Sequence, residues 1–551
     1  MADLTPIDAW TTDDVLHFAR RADFGLSPEA AAALAALAPG PAIEAWVDGT
    51  GADFTAFDAA LAHADPVDEP QRGSSPNVAP AVPGPHRYLV DGPDGWRNDL
   101  ARAQASLAFR MQYSPRPMQE RLALFWHNLF ATGEAKVAST ALMLQQQETL
   151  RAMGLARFDD LHVAVSKDPA MALWLDGVRN RADGTNQPNE NYAREAMELY
   201  SLGADNGYNQ QDITELARAL SGWSFTVRSA DLVPDPTSPT RRVAARGTFR
   251  VYDGSPVSGE YFWDNLGAAT PPTALRNRHA SGPVTFLGRS FADVGVAAPG
   301  LEKGEEVLRS IISSRGAQAA QFIGGRLVLH FVTGTPAQAD LDQVTALLGV
   351  DAAFDLRVAL KVLLKSRWFF DPANRFSLVE GPVSWTVRAA RALGPTLTAA
   401  DSAAAAVNRF PAWAQLTPTF DFAGMRLLDP AGPNGWREDL GWLNSNTIRY
   451  RGKLASALAL GETFTQGGVT RALVPTDVAE WFPLGPPTTP QAGLDRLVQL
   501  LQPAPNPAPV QADWLGRLWP AGPPFTWDAA SQVAARELAF LVLCSPAGQL
   551  Y

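Results

Sequence analysis

Apolar positions recur at helical spacing through most of this chain. In residues 6–62, Thr12 is placed to cap a helix through Asp13 to Arg20. Ser27-Pro28-Glu29 opens a second, Ala-rich helix with Pro at its first position. From His63 to His86 the sequence turns to Pro, Gly and Ser, a linker composition. The helical period returns at Asp94 and holds to about Ser221. Residues 224–300 alternate Thr, Val, Arg and Gly between Pro and Gly breaks, which predicts one or two hairpins. Helical patterning resumes at Glu302 and holds to Leu393, as in VLRSIISS and LRVALKVLLKS. Residues 394–450 are mixed, and beyond 455 short helices are expected between proline clusters. No fixed period argues for a solenoid. The expectation is a mainly α, multi-helix globular bundle with a small irregular, β-containing insertion. Its segments are 1–62 (helical), 63–88 (linker), 89–223 (central helical core), 224–300 (insertion), 301–455 (second helical part) and 456–551 (Pro-rich, short helices).

At 551 residues the chain has ample apolar material, 46% of positions, to fold without disulfide or metal staples. A net charge of −11 with no Lys/Arg cluster argues against nucleic acid as a partner. The single cysteine, Cys544, excludes an internal disulfide and a thiolate zinc site. The first residues carry acids and no apolar h-region, so no signal peptide is read in the chain as it stands. No run approaches the roughly 18 apolar residues of a membrane helix.

The densest polar chemistry lies between Asn186 and Trp223. Asn189 or Asn191, just after Pro188, is placed to cap a helix that runs through Leu202 to a stop at Gly203. On that helix Glu190, Arg194 and Glu198 form one polar row, and Glu195 lies three residues before Glu198. Asn209, with Asp212 at the third helical position, caps a second helix that carries Glu215 and Arg218 and ends at Gly222. A short connection predicts an antiparallel hairpin in which Arg218 approaches the carboxylates of the first helix. The row reads either as an ion-pair ladder bracing the hairpin or as paired carboxylates that hold a divalent metal or move protons. The Glu-x-x-His repeats of a di-iron bundle are missing.

Among the histidines, His127 sits on an apolar helix in ERLALFWHNLF. A core hydrogen bond is its structural role, and a carboxylate of the 190–198 helix is the functional alternative. His162 and His330 read as structural, and His279 as exposed. Trp223, Trp436 and Trp442 are candidate groove-lining residues, with core packing as the competing role. No phosphate loop, dinucleotide fingerprint or nucleophile elbow is present.

The run NENYAREAMELYSLG, followed by Tyr208, Asp212, Ala217-Arg218-Ala219-Leu220 and Gly222-Trp223, resembles the signature of a bacterial family, domain of unknown function 1800. ARRADFG, FWHNLF, KDPAMALWLDG, ISSRGAQAAQFIGGRLVLHFV and GW…WLNSNTIRYR agree in order, so the resemblance covers about residues 10–455. It implies a mainly helical, exported or cell-surface protein, with a sulfatase-like protein of domain of unknown function 1501 as a partner. Two places depart from the family pattern: Leu129 stands where a second histidine is expected, and Phe262-Trp263-Asp264-Asn265 where a His-Asp pair is expected. The remaining metal candidates are His127, Glu190, Glu195 and Glu198, with Arg194 and Arg218 as their catalytic company. Two functions are therefore expected to compete. One is a scaffold or assembly subunit, homo-oligomeric or partnered, that has lost part of an ancestral site. The other is a metal-assisted hydrolase or oxidoreductase with its site between the 118–131 and 190–202 helices.

Overall fold

In the computed structural model the described residues are 1–63, 96–182, 187–235, 238–292 except 245, 265, 267, 269 and 277, then 303–349, 354–394, 402–466, 469–472, 478–519 and 525–551. The linker expected at 63–88 falls almost wholly outside them, as do Asn186 and Asn265.

Local signals set most helix starts. The Thr11 hydroxyl accepts from the Asp14 amide while the Asp14 carboxylate accepts from the Thr11 amide, which opens α1 (Thr12–Ala22) one residue before the expected cap. Ser27 caps α2 (Pro28–Ala35) with proline at its first position, as the sequence indicates. Further on come α3 (Pro39–Asp48), α4 (Thr55–His63), α5 (Trp96–Tyr113), α6 (Pro117–Leu129), α7 (Glu134–Val137), α8 (Thr140–Met153), α9 (Phe158–Ser166) and α10 (Pro169–Trp174). The hairpin is α11 (Asn191–Glu198) and α12 (Gln210–Ala219).

The insertion is β, as expected. Its centre is β1 (Trp223–Arg228), which starts directly after α12. After the two-stranded ribbon β2 (Leu232–Asp235) and β3 (Ser238–Ala244), β4 (Thr248–Val251) and β5 (Glu260–Phe262) flank β1 on either side, both antiparallel. Trp223 is opposite Val251 and Thr226 opposite Phe262. A tight hairpin, β6 (Val284–Phe286) and β7 (Arg289–Phe291), then packs on α12.

The second helical part holds α13 (Lys303–Phe331), broken by non-helical angles at Arg315, then α14 (Gln338–Leu348), α15 (Leu356–Lys365), α16 (Pro382–Leu393), α17 (Ser402–Phe422) and α18 (Ser445–Ala459). A ribbon absent from the sequence-based expectation, β8 (Thr463–Gln466) and β9 (Val469–Ala472), precedes α19 (Pro490–Leu501), α20 (Ala508–Leu518) and α21 (Ala529–Cys544).

Buried side chains form two large clusters that ignore sequence order. In one, α5 and α16 to α19 share a core with α21. In the other, α1, α3, α6 and α9 pack with α11 to α15. The last hundred residues are thus part of the fold. The Glu380 carboxylate accepts from Arg388 Nε at 2.7 Å with both side chains sealed, while Arg388 also donates to the Leu501 carbonyl and Arg451 to the Gln549 side chain. That network ties α16, α18 and α19 to the segment after α21.

Candidate functional site

The hairpin forms, and its acids are engaged mostly by their own surroundings. Asn189 Oδ1 accepts from the Asn191 amide at 2.9 Å, so α11 begins on an Asn turn. The expected row exists: Arg194 lies 3.3 Å from Glu190 and 3.5 Å from Glu198. Glu190 also accepts from Gln210 Nε2 and from Thr214 Oγ1, both at 2.7 Å, which draws the first turn of α12 onto α11. At the other hairpin joint the Asn209–Asp212 capping box is formed as expected. Gly203 takes left-handed angles (φ 92°) after α11, where a side chain would be strained. Helix α11 itself is shorter than anticipated, closing at Glu198 instead of Leu202.

Arg218 corrects the sequence-based expectation. It pairs with Glu215 at 2.9 Å on its own helix and does not reach the α11 carboxylates. The hairpin faces α11 toward the beginning of α12, and Arg218 lies in the last turn of α12, beside Ser281. Glu215 also accepts from Gln211 and from the Thr285 amide, while Asp212 accepts from the Leu287 amide at 2.8 Å. The acids of α12 therefore fasten the β6–β7 hairpin. Glu195 differs: it makes no side-chain hydrogen bond or ion pair with the described residues. Burial raises its carboxyl above the ordinary range, neighbouring Glu198 adds to this and Arg194 opposes it.

His127 takes up neither expected role. Its ring is 1% exposed, neither nitrogen has a hydrogen-bond partner among the described residues, and Trp436 meets it edge-on with centroids 5.1 Å apart. Burial alone holds the imidazole down to about 3. The polar side chain that engages neighbours from this helix is the next one, Asn128, rotated by about 100° around the axis. Its Nδ2 donates to Glu438 Oε1 at 2.9 Å, and its Oδ1 accepts from the Trp436 amide at 2.6 Å. Gly435 makes this docking possible: its φ is +76°, and a Cβ there would fall 2.3 Å from the Asn128 carbonyl oxygen.

A narrow cleft does lie between the two helices named above, but different residues line it. Asn128 and Leu129 of α6, Leu199 just past α11, Arg326 of α13, and Asn434 and Glu438 of the loop before α18 converge there. Its free space is about 10 Å³, near the size of one water site. Glu438 Oε2 stands 3.8 Å from Arg326 Nη1. Burial raises the Glu438 carboxyl, while Arg326 and the hydrogen bond from Asn128 oppose that rise. Leu129, where a histidine was expected, forms part of the wall. Sequence reasoning quoted the segments carrying Asn128, Arg326 and Glu438 but did not single these residues out.

The proposed ligand set His127, Glu190, Glu195 and Glu198 is not assembled: among the described residues no three His, Cys, Asp or Glu side chains gather in a metal-holding arrangement. Asp264, in the other departing segment, pairs with Arg276 at 2.6 Å. His162 is buried in a three-ring cluster with Phe130 and Phe158, and His330 packs on Phe125 and Phe331, so both are structural as expected. His279 is half-buried, with Nδ1 2.6 Å from the Ser221 carbonyl, where an exposed ring was expected. Trp223, Trp436 and Trp442 are all buried and form no exposed platform.

What these elements define is a mainly helical protein organised around a braced α11–α12 hairpin, with a small β insertion fastened to it. The chain belongs to the family described as protein of unknown function (DUF1800), whose model matches residues 17–550. That span includes the last hundred residues, beyond the 10–455 over which the motifs were recognised. No curated protein and no solved structure matches the chain. No helix among the described residues is long and apolar enough to cross a membrane.

Proposed function

We propose that this chain is a scaffold or assembly subunit of an exported or cell-surface complex, built on a fold whose ancestral site is no longer complete. The observation that carries this reading is the engagement of the hairpin acids. Glu190, Glu198, Asp212 and Glu215 are each held by side chains or amides of the hairpin or of β6–β7. His127, the remaining histidine of the expected set, is sealed against Trp436 and hydrogen-bonds to none of them. Acids engaged in this way brace the hairpin, and among the described residues they do not gather with a histidine into a metal-holding group. The partner that the family resemblance suggests is a sulfatase-like protein of domain of unknown function 1501, with a second copy of this chain as the other candidate.

Elemental analysis of the purified protein, combined with light scattering, tests the proposal. The expected result is metal well below one ion per chain and a particle heavier than the 59.1 kDa monomer, alone or with the partner. Stoichiometric metal that disappears in Glu190→Ala, with circular dichroism unchanged, would refute it.

One observation favours a second reading, an enzyme of the hydrolase or oxidoreductase class. Glu438, with its carboxyl raised, sits in a cleft beside Arg326 and Asn128, an arrangement suited to a general acid. Glu438→Gln separates the two readings. It leaves assembly unchanged under the scaffold reading and abolishes any turnover found by substrate profiling under the enzyme reading.

A further inference from the structure

The sealed region around Glu380 and Tyr551 holds more positive charge than its acids answer. Arg20, Arg21, Arg121, Arg388 and Arg451 are each 3% exposed or less. The carboxylate among them, Glu380, is taken by Arg388 at 2.7 Å, although its Oε1 has no hydrogen-bond partner among the described residues. Nearby Asp23 is held by Arg391 at 3.2 Å, and Asp14 by Arg375. Arg451 donates to the Gln549 side chain and to the Glu380 carbonyl, and Arg20 lies over the Phe376 ring. Arg21 and Arg121 are left over, with no ion pair to a carboxylate of the described residues. Arg21 Nη2 donates to the Asn374 carbonyl at 2.8 Å and to Ser377 Oγ at 3.1 Å. Its Nε and Nη1 meet no acceptor among the described residues, and the same holds for Nε and Nη1 of Arg121. Both guanidiniums lie against one ring, Arg21 Cζ 4.4 Å and Arg121 Cζ 5.3 Å from the Tyr551 centroid. A ring face eases a cation but offers no oxygen lone pair to its N–H groups. The Tyr551 hydroxyl is turned to the His330 carbonyl, to which it donates at 3.3 Å. Burial, with a smaller part from the charge of Arg121, lowers Arg21 to about 10 against the opposing pull of Tyr551, so Arg21 stays cationic at neutral pH. Two buried like charges with free N–H groups call for a counter-charge. A water would accept from the N–H groups and leave the charge unanswered. Side chains sealed to 1% exposure or less keep out organic acids and phosphate esters, so the counter-charge is small.

We propose that Arg21 and Arg121 hold one inorganic anion of halide size beside the Tyr551 ring, a charge that ties α1 and α6 to the segment after α21. Neither functional reading above uses these residues. The test is the urea midpoint of the full-length protein by tryptophan fluorescence, with sodium chloride replacing sodium gluconate at constant ionic strength. Chloride at ten times its dissociation constant should raise the folded-to-unfolded ratio about tenfold and saturate as one site does. Arg21→Met and Arg121→Met each remove a cation and its donors, and each should abolish the chloride-dependent rise. Bromide diffused into crystals of the parent protein should give an anomalous-scattering peak in contact with both guanidiniums, a readout that needs no variant to fold. A midpoint indifferent to chloride, an equal rise in the parent and both variants, or bromide found only elsewhere would overturn the proposal. A rise with sulfate and none with chloride would assign the pair to a larger oxyanion and overturn it as well.

Discussion

Replacing His127 with Leu isolates one buried imidazole whose neutrality the fold enforces. In the folded chain burial holds it near 3, with no carboxylate or hydrogen bond to favour the charged form. In the unfolded chain it titrates near 6.5. As pH falls below that value the unfolded state takes up a proton that the folded state refuses, so the parent protein loses stability with acid. Because the folded value is depressed, the stability is present above about 6.5 and is lost below it. Between about pH 7.5 and pH 5.0 a single such ring contributes roughly 2 kcal/mol of destabilisation, at about 1.4 kcal/mol per pH unit below the unfolded pKa. Other groups titrate in the same window. His17 and His162 act in the same direction. Asp23 and Asp168, raised by burial to about 6 and about 7, act in the opposite one, since their folded forms gain protons first as pH falls. All of these are shared by parent and variant and cancel in the difference. The assay is the urea midpoint by tryptophan fluorescence for both proteins at the two pH values. At pH 7.5 the variant is expected close to the parent, because Leu removes an unpaired buried N–H while losing the edge contact with Trp436. At pH 5.0 it should gain about 2 kcal/mol relative to the parent. Parallel acid shifts in both proteins would refute the reasoning and mean that His127 is charged or partnered in the fold.

Three further outcomes follow from the same geometry. Glu380→Leu leaves Arg388 buried and unpaired and should cost about 3–5 kcal/mol in urea unfolding. Gly435→Ala, which needs both a left-handed alanine and a Cβ against the Asn128 carbonyl, should cost about 1–3 kcal/mol and disturb the Trp436 environment in near-UV circular dichroism. Arg218→Ala, in a pair that is partly exposed, should cost no more than about 1 kcal/mol and leave any bound ligand unaffected; loss of a ligand from a folded Arg218→Ala would contradict its bracing role.

The candidate site was legible in part. The polar row Glu190, Arg194 and Glu198 and the Asn209–Asp212 box were readable because both depend on spacing within one helix. Arg218 was misplaced because its partner depended on how two helices cross, and the local i,i+3 pair with Glu215 is the one that forms. His127 drew notice by residue type, whereas Asn128, one position on, is the side chain that docks the Trp436 loop. The β8–β9 ribbon escaped notice because each strand is four residues long, too short for a period to register.

By itself the sequence determined the helical class, the place of the β insertion, the caps that start α2 and α12, and the family. All of these rest on local spacing or on motifs read in order. Only the tertiary structure decided which carboxylates are engaged and which cleft forms between α6, α13 and the loop before α18. It also decided that the Pro-rich C-terminal region shares a core with α5 and α16 to α18. The physical reason is range. A helix cap or an i,i+4 pair is fixed within a few residues of chain. The Asn128–Glu438 contact joins positions 310 residues apart, and packing of the whole core chooses it.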